Sequence, residues 1–165
     1  PMGHAMPTPT TINALQLTKH YAAQVRRDKT LTLEPPNSLL RTELQVPDVP
    51  GTQLTLEAHI VKGKLQALGY RIRSCSLGQA ALGILLQYHQ GLTLAQLTQA
   101  QQQLTDVLAG TLTDVSQLIW PELALFADAV TLTERHPVAL LPFNGLIQLF
   151  TQAQTQELSA NPSLT

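Results

Sequence analysis

Gln53-Leu54-Thr55-Leu56-Glu57-Ala58-His59-Ile60, the triplet Lys62-Gly63-Lys64 and the run from Leu65 to Arg73 decide the fold. Apolar and polar residues alternate in the first run, and Leu68, Tyr70 and Ile72 resume the alternation in the last. A period of two belongs to a strand with one face buried. The triplet between the runs reads as a tight turn, so the segment predicts a β-hairpin. An isolated hairpin is marginal in water, and helices must cover its apolar face. Leu39 to Val46 is a short apolar run that adds a candidate edge strand, and Pro47-Asp48-Val49-Pro50-Gly51 breaks any regular element after it.

The hairpin runs directly into Ser74-Cys75-Ser76-Leu77-Gly78-Gln79-Ala80. Ser74 or Ser76 is expected to cap a helix from Leu77 to about His89, with Gly91 ending it. Its small residues Gly78, Ala80, Ala81 and Gly83 permit close packing. Upstream, Thr11 or Asn13 can cap a helix through about Arg27, and Lys29 to Asn37 is a connector containing Pro35-Pro36. Downstream, a helix from Thr93 to Leu108 carries a glutamine-rich face and stops at Gly110. Thr113 to Ile119 reads as a short helical piece, Pro121 to Phe126 as compact, and Ala127 to Glu134 as a connector. A last helix runs from Val138 to about Gln154, with Pro142 in its first two turns, where proline does least harm. The order predicts an α+β fold, with a small antiparallel sheet of two or three strands and helices packed on one face. Pro1-Met2-Gly3-His4-Ala5 reads as a cloning remnant, so residues 1–12 are expected to be remnant and leader, 13–154 one domain and 155–165 a flexible tail.

The chain has 165 residues, of which 44% are hydrophobic and 13% charged, with a net charge of −1. That length suits one domain. The near-neutral charge, with no basic run beyond Arg26-Arg27, argues against a nucleic-acid binder and a polybasic membrane anchor. Apolar stretches such as Leu123 to Ala127 are far short of the ~20 residues of a bilayer span. The expected setting is the cytoplasm. One cysteine, Cys75, excludes an internal disulfide and an all-cysteine metal site within one chain. No Ser/His/Asp spacing, phosphate-cradling loop, HExxH or CxxC occurs, so no enzymatic chemistry is expected.

Cys75 stands at a strand-to-helix junction. A thiol there feels the positive end of the helix dipole and free N–H groups, which favour the thiolate; the plain alternative is a small residue that buries well. His59 falls on the polar strand face, His89 at a helix end, and His20 reads as packed or capping. Trp120 reads as an anchor, in the core or at the surface.

Four segments together resemble the SufU/IscU-type scaffold proteins of iron–sulfur cluster assembly, which include the N-terminal domain of NifU. Ser74-Cys75-Ser76-Leu77-Gly78-Gln79-Ala80-Ala81-Leu82-Gly83 is similar to that family's Gly-Cys-(Ser/Ala)-Ile-Ser-x-Ala-Ser-Ala helix start. Glu134-Arg135-His136-Pro137-Val138-Ala139-Leu140-Leu141 is similar to its Pro-Ala-Arg-x-Lys-Cys-Ala-x-Leu. His20-Tyr21 matches a His-Tyr in its first helix. Counting back from Cys75 through the hairpin sets Pro50-Gly51-Thr52 on the family's Cys-Gly-Asp loop. The resemblance spans roughly Ala14 to Phe150.

The resemblance implies an end of the domain where three cysteines and an aspartate converge on zinc or a nascent cluster, and where a cysteine accepts sulfur from a cysteine desulfurase. Here Pro50, Thr52 and Val138 occupy the other ligand positions, Pro137 replaces the lysine, and Cys75 remains with Arg135 and Gly51. Proline and valine carry no donor and a threonine hydroxyl is a poor one, so no metal tightly bound by the monomer is expected. His136 is a speculative second ligand beside Cys75. Two readings follow. In one, a cluster-assembly protein with a degenerate ligand set acts through Cys75 as a persulfide acceptor, or through its partner surface. In the other, a protein-interaction or regulatory module has kept the fold without metal chemistry.

Overall fold

The computed structural model describes residues 11–25, 27–32 and 39–160. Helix α1 (Thr11–Ala23) leads to a three-stranded antiparallel sheet in the order β1 (Leu40–Gln45), β2 (Gln53–Val61), β3 (Lys64–Arg73). Helices α2 (Ser76–Tyr88) and α3 (Leu94–Ala109) follow, then 3₁₀ turns over Val115–Gln117, Pro121–Ala129 and Thr133–Arg135, and finally α4 (His136–Ala160). The α+β architecture is the expected one, and of the two or three strands expected the sheet has three, with Leu40–Gln45 as an edge strand. Residues 1–5, the Pro35-Pro36 stretch and residues 161–165 lie outside the described residues.

The hairpin turn puts Lys62 at φ 52° and Gly63 at φ 77°. Positive φ at both central residues matches the right-handed twist of the flanking strands. Leu54, Leu56 and Ala58 of β2 and Leu65, Leu68 and Tyr70 of β3 are buried. A register shift at His59/Ile60 accommodates the approach to the turn. On the opposite face, residues 29–31 strap β3. The Lys29 and Tyr70 amides exchange hydrogen bonds with each other's carbonyls at 2.9 and 2.6 Å, and the buried Glu57 carboxylate accepts from the Leu31 amide at 3.0 Å. Gly69 makes room for the strap, since a Cβ there would stand 2.9 Å from both Leu31 Cγ and the Lys29 carbonyl oxygen.

Helix α4 covers the apolar face. Gly145 lets it approach, because a Cβ would come within 2.8 Å of Leu44 Cδ1 and 2.9 Å of Leu56 Cδ1. Phe143, Leu146 and Leu149 of α4 are fully buried, with Phe143 packed against Trp120. Helix α2 packs against α1 and α4, and its Gly83 faces the Tyr21 carbonyl. Helix α3 has a reciprocal capping box between Thr93 and Gln96, and Gly110 closes it in the left-handed conformation. Its polar face is partly employed, since Gln103 accepts from the Ile119 amide at 2.7 Å and donates to the Gln117 carbonyl at 2.9 Å.

Four local expectations are corrected. Helix α1 ends at Ala23 rather than near Arg27, and a hydrogen-bonded turn over Tyr21–Val25 finishes it. Cys75, not Ser74 or Ser76, is the N-cap of α2, because the Ser74 hydroxyl donates to the Cys75 carbonyl at 3.0 Å. The Ala127–Glu134 connector includes the end of one 3₁₀ segment and the start of another. Helix α4 starts at His136 and continues to Ala160; Pro142 falls at the end of its second turn.

His59, His89 and Trp120 fall where the pattern suggests, whereas His20 is exposed, with its Nε2 3.3 Å from the Gln24 side-chain amide. His20 lies edge-on to Tyr21, His59 is half-buried on β2, and His89 caps α2 with Nδ1 2.6 Å from the Leu86 carbonyl. Trp120 is buried and stacks on Tyr88 with ring centroids 4.5 Å apart. The Tyr88 hydroxyl donates to Glu122 at 2.6 Å. Burial first, and then the charged acceptor, push the Tyr88 pKa well above its ordinary value.

Candidate functional site

The strand register gathers the three predicted site segments at one end of the molecule. Gln53 pairs with Arg73, so Thr52 stands opposite Ser74 and the Pro47–Thr52 turn lies beside the β3–α2 junction. Val138, in the first turn of α4, abuts the first turn of α2, since a Cβ on Gly78 would lie 2.9 Å from Val138 Cγ1. Two of the matched segments, at Gly78 and at Val138, are therefore neighbours in space.

Cys75 is half-buried with a free thiol. Burial, the largest influence, raises its pKa, but four groups outweigh it: the amides of Gly78 and Leu77, the Arg135 side chain and the Ser74 hydroxyl. The thiol pKa ends below its ordinary value. The sulfur makes no capping hydrogen bond of full geometry, so the amides act on it mainly as the electropositive end of α2. The Arg135 side chain, delivered by the last 3₁₀ turn before α4, adds a hydrogen-bond donor that favours the thiolate. The junction itself is fixed by the Gln79 side-chain amide, which donates to the Ser74 carbonyl at 2.9 Å.

The other predicted positions supply little to a metal. Val138 is buried and apolar, Pro50 is exposed on the turn, and Thr52 is buried with its amide donating to the Val49 carbonyl at 3.2 Å. His136 begins α4, and its Nε2 lies 2.8 Å from the Ala129 carbonyl. Among the described residues, no group of three or more His, Cys, Asp or Glu side chains is placed to hold a metal ion. One sulfur does not complete a tetrahedron, so these residues do not fit a resident zinc ion.

Two features were not singled out from the sequence. Arg135 reads there as a retained position without ligand chemistry, and its contact with Cys75 depends on a turn that no periodicity announces. An open, mainly apolar groove of about 450 Å³ also lies over the first turn of α2, lined by Leu15, Leu77, Leu125 and Leu132 together with Arg135 and Asp128. Leu15 and Leu132 are exposed. The spacing of Leu15 and Leu17 suggests only an apolar helix face; an exposed position is decided by what packs against α1.

The overall fold is shared with solved structures that include an iron–sulfur cluster assembly scaffold. A NifU-like protein (N-terminal) from Brucella abortus superposes with a TM-score of 0.71 at 16% identity, over 88% of this chain and 99% of that one. A protein of Fervidobacterium islandicum assigned as the iron–sulfur cluster assembly scaffold for the SUF system gives 0.67 at 15% identity, over 82% of this chain and 94% of that one. A hypothetical protein gives 0.61 at 14% identity, over 82% and 98%. The sequence itself matches no protein-family model and no curated protein. No helix among the described residues is long and apolar enough to cross a membrane.

Proposed function

We propose that this protein belongs to the SufU/IscU-like cluster-assembly proteins, has lost most of the metal ligands, and acts as a sulfur acceptor through Cys75. The observation that supports the reading is the chain's one cysteine at the N-terminus of α2, matched by the sequence resemblance to a scaffold cysteine, on a fold shared with a scaffold structure; the Gly78 and Leu77 amides and the Arg135 side chain favour its thiolate.

In the proposed step the Cys75 thiol gives its proton to solvent, and the thiolate attacks the terminal sulfur of a persulfide on a cysteine desulfurase. A new S–S bond forms at Cys75 Sγ. The S–S bond of the donor breaks, and its electron pair leaves on the donor's cysteine as thiolate. The exchange is redox-neutral and needs no metal. Gly78, Leu77 and Arg135 stabilise the attacking thiolate. The protein is then a carrier rather than an enzyme, working in the cytoplasm with the desulfurase.

Incubation with a cysteine desulfurase and free cysteine tests this. Mass spectrometry is expected to find one added sulfur on Cys75, removed by reductant and absent from Cys75→Ser. An unmodified Cys75, with the desulfurase itself loaded, contradicts it.

The groove over the first turn of α2 favours a second reading, a protein-interaction module on the same fold. Leu132→Asp separates the two. Unchanged sulfur loading with a lost protein contact supports the module, and loading with a raised KM for the donor supports the acceptor.

A further inference from the structure

The face of the sheet turned away from the helices carries an open trough of about 440 Å³, within the ~300–1,000 Å³ usual for small-molecule sites. Its floor is β2, through Gln53 and Thr55; one wall is β1, with Arg41 and Glu43, and the other is β3, with Arg71 and Arg73. The register sets these side chains in rows, Glu43–Thr55–Arg71 across the middle of the trough and Gln53–Arg73 towards the Cys75 end. Three of the chain's ten lysines and arginines therefore gather on one small area of a protein whose net charge is −1.

The cations are unequally engaged. Arg41 is paired with Glu43 at 3.0 Å. Arg71 reaches Asp28 at 3.5 Å, with the side chains 63% and 47% exposed. The Arg73 side chain has no ion pair or hydrogen bond among the described residues. Guanidinium forks suit phosphate and carboxylate groups bidentately, and the neutral floor adds an amide and a hydroxyl without added repulsion.

We propose that the trough binds a small polyanion, bearing phosphate or carboxylate groups, between Arg71 and Arg73 over the floor of Gln53 and Thr55. This site does not depend on the chemistry of Cys75. Glu43 opposes an anion there, so the β1 wall limits affinity while the β3 wall supplies it.

Isothermal titration of the whole chain at low ionic strength tests the assignment, with pyrophosphate and citrate as probes. Saturable binding at one site is expected for at least one probe, and the tighter probe identifies phosphate or carboxylate as the ligand chemistry. Arg73→Gln and Arg71→Gln should each weaken it about tenfold, the scale of a charge-assisted hydrogen bond. Glu43→Gln should tighten it severalfold. Lys19→Gln, an exposed change on α1, should leave it unaltered. Failure of both probes to saturate overturns the proposal. So does a loss on Lys19→Gln equal to that on Arg73→Gln, because binding is then a diffuse charge effect.

Discussion

Two glycines of α2, Gly83 and Gly78, lie little more than one turn apart and face different surroundings. A Cβ on Gly83 would stand 2.2 Å from the Tyr21 carbonyl oxygen and 2.8 Å from its carbon, both main-chain atoms of α1. A Cβ on Gly78 would meet the Ser74 hydroxyl at 2.1 Å and Val138 Cγ1 at 2.9 Å, both side-chain atoms. Backbone cannot step aside without moving a helix, whereas a serine rotates. The α1–α2 crossing is thus fixed by main-chain contact, while the end that carries Cys75 is built of adjustable side chains. A fold can remain while the chemistry at such an end changes, because a substitution there disturbs a rotamer rather than a helix position.

The largest expected effect is that of Gly83→Ala. Alanine gains ~1 kcal/mol of helix propensity, but overpacking against main chain costs ~1–3 kcal/mol or more, so the net change destabilises. A fall in the midpoint of thermal unfolding checks it; an unchanged or raised midpoint would dissolve the contrast between the two glycines. Gly78→Ala should leave the midpoint within a few degrees, since the propensity gain offsets a Ser74 rotation. Its effect should appear instead in Cys75 alkylation, because Ser74 and the Gly78 amide both act on the thiol.

Arg135→Gln sharpens the same contrast, with little change in stability and a change in acidity. The wild-type thiol ionises below the pH of an ordinary cysteine, so its iodoacetamide reaction rate should rise at lower pH than that of free cysteine. Removing Arg135 takes away a group that favours the thiolate, and the rate profile should move to higher pH. The sign for stability follows. A folded-state pKa below the unfolded one contributes stability above the unfolded value, and that contribution disappears as pH falls through the folded value. A profile unmoved by Arg135→Gln would show that the guanidinium does not act on the sulfur. Thr93→Ala should have the smallest consequence, the loss of one capping box at ~1 kcal/mol, read as a slight fall in the unfolding midpoint.

The parts legible in the sequence are those whose signal is local and periodic. Alternation from Gln53 to Arg73, the Lys62-Gly63 turn and the Thr93 and Gly110 boundaries each follow from a few neighbouring residues. The parts that were not legible depend on distant partners. Cys75 became the N-cap because Ser74 turned its hydroxyl to a carbonyl. The Lys29–Leu31 strap exists because Glu57 and Gly69 receive it. Arg135 reaches the thiol only because the Thr133–Arg135 turn delivers it, and the outer trough needs three strands in register before its arginines face one another.

Elemental analysis of the purified chain beside the variant Pro50→Cys/Thr52→Asp/Val138→Cys tests most directly whether this end keeps the scaffold geometry with a single sulfur donor. The account predicts far less than one metal per chain in the wild type and about one zinc per chain in the variant, where four donors converge. A wild-type protein carrying about one zinc or iron per chain, lost on Cys75→Ser, would contradict it.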